Sequence, residues 1–271
     1  MDVRGASADA VASLTSELET TVSGSEGVAA EIASSLFSAS QTLRAEGTLR
    51  RFLTDQAVAE QAKSGLVQQI FGGKLAAGAL TIVISAVTRR WTHGGDLPAA
   101  LEHLSEIAVV RSAGSGDAKR LSDELFGLRQ LVQDNAELRD ALSDPSRSVA
   151  DKSALLDSLL GGKVLAATAT LAKQALAGTY RTVSVALNEY QKVAAAAYNE
   201  GVATVRVAKP LGDAETSRLA AALERQYGRP VHLNVLVDPA VVGGIKVEIG
   251  DDVIDGTVAS RLDDARRLLA G

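Results

Sequence analysis

The chain has no cysteine, only three histidines, and aromatic residues at just 3% of its 271 positions. Without cysteine there is no disulfide scaffold, no thiol nucleophile and no thiolate metal site. His93, His103 and His232 are scattered, with no pair four residues apart that could hold a metal from one helical face. A membrane-spanning helix needs roughly 20 apolar residues. The longest largely apolar run here, Leu75 to Val87, falls short and is broken by Gly78, Thr81 and Ser85. The beginning, Met1-Asp2-Val3-Arg4-Gly5, lacks the apolar core of a signal peptide, so a cytoplasmic location is expected. Basic residues are outnumbered, 28 Lys and Arg against 33 Asp and Glu, for a net charge of −5. No basic stripe is present to displace counterions from phosphates, so no nucleic-acid partner is expected.

What the sequence has in quantity is alanine and leucine, within 46% hydrophobic and 23% charged residues. That balance suits a folded soluble chain, and both residues lose little on entering a helix. The apolar residues also repeat. Lys63-Ser64 recurs as Lys152-Ser153 and Gly72-Gly73-Lys74 as Gly161-Gly162-Lys163, both at the same offset (152 − 63 = 89; 161 − 72 = 89). In that frame Leu36-Phe37 meets Leu125-Phe126, Leu49-Arg50 meets Leu138-Arg139, Leu53 and Asp55 meet Leu142 and Asp144, and Trp91 meets Tyr180. So many ungapped identities indicate a tandem duplication covering about 30–110 and 119–199.

Both copies carry helical periodicity. Val28, Ile32, Leu36 and Leu43 share one face, as do Leu121, Leu125, Leu128 and Val132, and later Val183, Leu187, Tyr190, Ala194 and Ala197. Ser23 with Glu26, and Ser148 with Asp151, have capping-box spacing. Asp144-Pro145 and the paired glycines supply breaks. Leu80 to Ile84 taken alone could be a buried strand. Its counterpart, Ala169 to Lys173, has no β-branched run, which predicts buried helices for both. Before the first copy another helix is expected, with Val11, Leu14, Leu18 and Val22 on one face.

From residue 201 the period changes to two. Val202–Val207 and Val231–Val237 alternate as strands, with a helix between them capped by Asp213 and ending at Tyr227-Gly228, which makes a βαβ unit with parallel strands. Ile245–Ile249 and Val253-Ile254, joined through Gly250-Asp251-Asp252, predict a hairpin. A last helix is expected with Val258, Leu262, Ala265 and Leu269 on one face. The fold class is therefore mainly α: a duplicated helical bundle, then a small C-terminal α/β domain. The expected divisions are 1–115, 116–200 and 201–271.

Candidate chemistry is sparse. Gly72-Gly73-Lys74 lacks the distant Gly and the following Ser or Thr of a phosphate-binding loop, since Gln68 and Leu75 stand there. Gly243-Gly244 has no third glycine at dinucleotide-site spacing. Asp251, Asp252 and Asp255 form the one dense carboxylate cluster, and a turn plus a helix cap accounts for them better than acid–base or calcium chemistry. His232 lies on an alternating strand, where half-buried packing is expected. No catalytic set, cofactor site, metal site or small-molecule substrate site is expected.

The C-terminal residues carry a family resemblance. Val237-Asp238-Pro239-Ala240-Val241-Val242-Gly243-Gly244-Ile245, then Gly250-Asp251-Asp252-Val253-Ile254-Asp255-Gly256-Thr257 and Arg261-Leu262, resemble the signature of the delta subunits of F-type ATP synthases. The mitochondrial oligomycin-sensitivity-conferring protein is in the same family. Val205–Leu211, and Leu138–Asp144 with Lys152, are also similar to it. The resemblance covers 119–271 directly and 1–110 through the repeat. It implies a non-catalytic stator subunit whose helical domain grips the N-terminal segment of an alpha subunit and whose C-terminal domain meets the b subunit of the peripheral stalk. Membrane association would be indirect, through the complex, on the cytoplasmic face. Competing readings are a general helical adaptor and, less favoured, a small-molecule enzyme built on the α/β unit.

Within that resemblance Gly243 and Gly244 are expected as turn formers and Asp255 as a cap for the last helix, with Asp238, Gly250 and Gly256 as further structural positions of the motif. The sequence departs from the family in lacking its early tyrosine, in having Thr257 where serine is usual, and in nearly doubling the helical region. Val11, Leu14 and Leu18 form a stripe with no evident partner, and they are the expected lining of the alpha-segment groove.

Overall fold

The computed structural model describes residues 3–23, 25–250 and 252–270, without the side chains of 263–265 and 268–270. They form two compact units, 1–193 and 194–271.

The first unit is helical: α1 (Ala6–Val22), α2 (Glu26–Ala45), α3 (Gly47–Thr54), α4 (Glu60–Phe71), α5 (Ala77–Thr88), α6 (Asp96–Ser112), α7 (Ala118–Asp134), α8 (Ala136–Ser143), α9 (Val149–Leu160), α10 (Ala166–Ala177) and the start of α11 (Val183–Ala197). The duplication is visible in the backbone. α3 and α8, α4 and α9, and α5 and α10 begin and end 89 residues apart (136 − 47, 149 − 60, 166 − 77). The paired glycines end equivalent helices: Gly72 and Gly161 follow α4 and α9, and Gly73 and Gly162 take positive φ of 71° and 70°. A side chain disfavours that conformation, which is why glycine stands there in both copies. The stretch 80–84 is helical, as its counterpart predicts.

α2 lies along α6. Ala29, Ala33 and Ala39 on one, and Ala100 and Ala108 on the other, are all within 1% of full burial. Small residues allow ridges of one helix to seat deeply in grooves of the other. Leu36, Leu43, Leu97, Leu101 and Leu104 fill the space around them at zero exposure, each contributing about 1.5–3 kcal/mol by burial.

Several details depart from the sequence reading. The cap of α2 is Ser25, whose Oγ accepts from Val28 N at 3.4 Å, whereas Ser23 donates to Thr20 O at 2.7 Å. The helix starts two residues too late for a Ser23–Glu26 box to form. Val28 is 42% exposed, although Ile32, Leu36 and Leu43 on its stripe are buried. It sits in the first turn, where Ala29 rather than Val28 is buried. Ser148 does cap α9, accepting from Asp151 N at 3.1 Å.

In the second unit β1 (Gly201–Val207), α12 (Asp213–Tyr227), β2 (Val231–Val237), β3 (Ile245–Ile249), β4 (Asp252–Asp255) and α13 (Val258–Ala270) build a four-stranded sheet in the order β2-β1-β3-β4. β1 and β2 are parallel, pairing Val205 with Val235, and β3 and β4 form the hairpin, pairing Val247 with Ile254. β1 also runs antiparallel to β3, so the sheet is mixed. Ala203, Val205, Val207, Val247 and Ile249 make a small core with Leu223 of α12. The cap of α12 is Gly212 rather than Asp213: the Glu215 carboxylate accepts from Gly212 N at 2.9 Å, and Asp213 is the first helical residue. His232 is buried, at 9% exposure, rather than half-buried. On α13, Val258 and Leu262 are 44% and 58% exposed, so the expected apolar face is open at its first two members. Ala265 and Leu269, its other members, lie outside the described side chains.

Candidate partner-binding surfaces

The C-terminal motif ties the loop before β3 to the start of α13. Asp238 N donates to Val207 O at 2.8 Å, fixing the loop to the end of β1, and the Asp238 carboxylate accepts from Ala240 N at 2.9 Å. Gly243 O accepts from Val258 N at 3.0 Å, and Ile245 O accepts from Gly256 N at 2.9 Å. These two bonds draw the backbones together. A Cβ on Gly244, which has φ 84°, would run into Gly256 O, and one on Gly256 would stand 3.2 Å from Ile245 O. Glycine is required at Gly244 by this close approach and its positive φ, while at Gly256 a side chain would be tight. Gly250, at φ 59°, turns the hairpin.

Asp255 plays a different part from the one expected. Its Oδ1 accepts from Thr257 N at 2.9 Å and from Thr257 Oγ1 at 2.7 Å, and Thr257 Oγ1 in turn accepts from Ser260 N at 3.2 Å. The cap of α13 is thus Thr257, held in place by Asp255. These bonds hold the Asp255 carboxyl below its ordinary range, Thr257 being the cause. Threonine serves here as a serine would, because the cap uses only the hydroxyl. Asp252 accepts from Tyr227 OH at 3.1 Å, and Asp251 lies outside the described residues. Asp238 and Asp255 therefore bond to a turn and a cap. Among the described residues no group of three His, Cys, Asp or Glu side chains is placed to hold a metal, and no helix is long and apolar enough to cross a membrane.

Over this motif the unit presents an apolar surface. Val242 is 82% exposed, and Val258, whose methyl lies against Gly243, and Leu262 continue it. Exposed apolar groups that gather in this way mark interaction sites more often than those scattered singly.

In the helical unit the expected stripe divides. Leu14 and Leu18 have zero exposure, because α1 packs on α5 and α6. The stripe thus has a partner within the chain, and these two leucines are core rather than groove lining. Val11 alone is half-buried. α1 runs antiparallel to α5: Ser7 Oγ accepts from Thr92 N at 2.8 Å at one end, and Gly78 comes against Thr21 at the other. Leu80 and Ile84 of α5 are half-buried too. Val11, Leu80 and Ile84 are thus the larger half-buried apolar residues of these two helices, and sequence periodicity singled out only the first.

A buried polar cluster surrounds α6. Glu102 pairs with Arg44 of α2 and accepts from Thr179 N at 2.7 Å. Ser105 Oγ donates to Ala33 O at 2.7 Å and accepts from Gln174 Nε2 at 2.9 Å. Glu106 faces His103 Nδ1 at 3.1 Å and accepts from Tyr180 OH at 3.4 Å. Burial pushes the Glu106 carboxyl above its ordinary range, with His103 opposing. The bonds to Gln174, Thr179 and Tyr180 join α6 to the second copy, and those to Ala33 and Arg44 join it to α2.

The chain is thus a two-unit helical and α/β protein whose polar groups fasten turns, caps and helix joints. The family model for the ATP synthase delta (OSCP) subunit matches residues 107–269. An ATP synthase subunit delta of a Nocardioides species is 54% identical over 99% of this chain and 98% of its own length. That of Streptomyces coelicolor is 39% identical over 99% and 98%, and that of Nocardia farcinica 38% identical over 93% and 94%. The chain belongs to the ATP synthase delta (OSCP) subunit family, and it is a non-catalytic subunit.

Proposed function

We propose that the chain is a stator link of the proton-translocating ATP synthase, joining the N-terminal segment of an alpha subunit to the b subunit of the peripheral stalk so that rotation is coupled to ATP synthesis. In this reading residues 1–115 grip the head, 116–200 extend the link and 201–271 meet the stalk. The observation that carries it is the apolar surface of Val242, Val258 and Leu262, held open over a motif whose glycines and aspartates fasten the backbone beneath. A chain that offers surfaces rather than a reaction site suits mechanical attachment. Two moderate contacts through one linker raise effective concentration and resist torque without one very tight interface. The chain then sits on the cytoplasmic face of the membrane, held there by the complex.

Depletion and add-back tests this. Membranes stripped of the chain rebind catalytic heads and regain proton-coupled ATP hydrolysis when it is restored. Recoupling without it overturns the reading. A chain with Val242→Asp and Leu262→Asp restores neither, although both positions are exposed and the unit remains folded.

A further inference from the structure

The joint between the copies buries a carboxyl group that has lost its cation. α1 stands to the first copy as α6 stands to the second: Ser16-Glu17 matches Ser105-Glu106 at the same offset of 89 (105 − 16), and Arg89 matches Gly178. Glu17 is partly exposed and pairs with Arg89. Glu106 stands in the equivalent place without the arginine, and its side chain is 1% exposed. No side chain fits at position 178, because a Cβ there would run into Glu102, which accepts from Thr179 N at 2.7 Å. Arg44 is already committed. It pairs with Glu102 and donates to Ala177 O, the last carbonyl of α10, at 3.0 Å. Gln41 donates to the same carbonyl at 2.7 Å. The end of α10 is thus latched to α2 and α6, with Glu106 beside the latch.

The groups around Glu106 come from four elements. α6 itself supplies Glu102, whose charge opposes ionisation of Glu106, and His103, whose Nδ1 lies 3.1 Å from Oε2. α2 supplies Arg44. From the turn after α10, Tyr180 OH donates to Oε2 at 3.4 Å. α11 supplies Tyr190, edge-on to Tyr180 with ring centroids 5.7 Å apart, and Glu189, which pairs with Lys192 at 2.7 Å. Burial pushes both tyrosines well above their ordinary range, so they stay neutral. Glu106 Oε1 and the Tyr190 hydroxyl are buried and have no partner among the described residues. The buried charges are therefore two carboxylates, one arginine and one histidine. They balance only when His103 and Glu106 hold one proton between them, and an unbalanced charge at this depth is costly.

We propose that this joint is a one-proton latch, closed while the His103–Glu106 pair holds a proton and loosened between α6 and the α10–α11 turn when the pair gives it up. Whether the proton sits on the imidazole or on the carboxyl, the net charge of the cluster is the same. Rising pH therefore slackens the connection between the two copies. The latch lies within the chain and does not depend on which partners the chain holds.

Two measurements on the full chain test this. NMR titration of the Glu106 carboxyl and His103 imidazole signals gives the pH at which the pair loses its proton. Hydrogen exchange, read peptide by peptide and corrected for hydroxide catalysis, gives the opening of residues 170–190. Their protection falls as the pH rises toward that value and levels off above it. The fall is up to about tenfold per pH unit, the most that one proton can give. Residues 60–88 of the first copy show no such fall. Glu106→Gln removes the pH dependence, while Glu17→Gln at the counterpart leaves it intact. Protection of 170–190 that is the same on both sides of the pair's titration in the unaltered chain overturns the latch, whether or not the variants fold. So does an equal fall in Glu106→Gln.

Discussion

The first and second helical copies keep a common backbone frame and differ where they touch. Helix starts, breaks and apolar spacing recur 89 residues apart across three pairs of helices, because a duplication copies them together. The joint between the copies exists only once, and its residues follow a different requirement. Arg44, Glu102, Glu106 and Trp91 of the first copy correspond to Gln133, Gln191, Ala195 and Tyr180 of the second. α6 closes the first copy and opens the second, so it must be compatible with neighbours on all sides. α1 has neighbours on one side only, and its outer face remains polar, as the end of a stacked array requires. Position in the array, more than position in the repeat, decides what a side chain does.

The largest expected effect comes from the same substitution at equivalent sites. Leu104 has zero exposure, while Thr15, its counterpart in α1, is half-buried. Leu104→Asp buries a carboxylate without a partner and is expected to cost about 4 kcal/mol or more, whereas Thr15→Asp costs about 0.5 kcal/mol. Urea unfolding followed by circular dichroism checks the pair, and equal losses would break the comparison between α1 and α6.

Next is the ion pair of the joint. Glu102 is 2% exposed, so Arg44→Ala strands a buried carboxylate. The expected cost is about 3 kcal/mol, against about 0.5 kcal/mol for Gln133→Ala at the exposed counterpart. Losses of the same size at both sites would show that the joint contributes nothing special.

Glu106 gives the comparison a pH dependence, since Ala195 in the second copy cannot titrate. Burial raises its carboxyl above the ordinary 4.5, against the opposing His103 contact. A raised carboxyl favours the folded state when protonated. Its stabilising contribution is present below the ordinary value and is lost as pH rises through the shifted one. Glu106→Gln stays neutral, so its stability relative to the unaltered chain should rise as pH increases from about 4 to 8. A constant gap across that window would mean that Glu106 keeps its charge state.

These contrasts also show what could be read from the sequence. The repeat, the helical nature of 80–84 and the βαβ-hairpin plan were legible, because two copies in one frame restrict each other and strand alternation is a local signal. The fate of Leu14 and Leu18 was not. An amphipathic stripe has the same periodicity whether it packs on its own chain or on a partner, and only the antiparallel packing against α5 distinguishes the two. Caps were legible to within a residue or two, since several Ser, Asp and Gly residues compete and the start of the helix selects among them. Gly243-Gly244 could be read as a turn, but the close approach of Gly244 to Gly256 depends on two distant backbones meeting.

The smallest expected effects concern those caps. α9 begins at Ser148, whose hydroxyl accepts from Asp151 N, and α8 at Asn135, whose carbonyl accepts from Leu138 N at 3.1 Å. Their counterparts, Ala59 before α4 and Glu46 before α3, make no side-chain cap bond. Ala59 already has the backbone a cap needs: its φ and ψ of −61° and 141° nearly match the −66° and 155° of Ser148. Ala59→Ser should therefore stabilise the first copy by about 0.5–1 kcal/mol, and Ser148→Ala should weaken the second by about 1 kcal/mol. If the frame is shared as closely as the helix bounds indicate, the double variant melts near the unaltered chain, because one substitution offsets the other. A double variant that melts as low as Ser148→Ala alone would show that the copies differ in backbone at these starts, and not only in side chains.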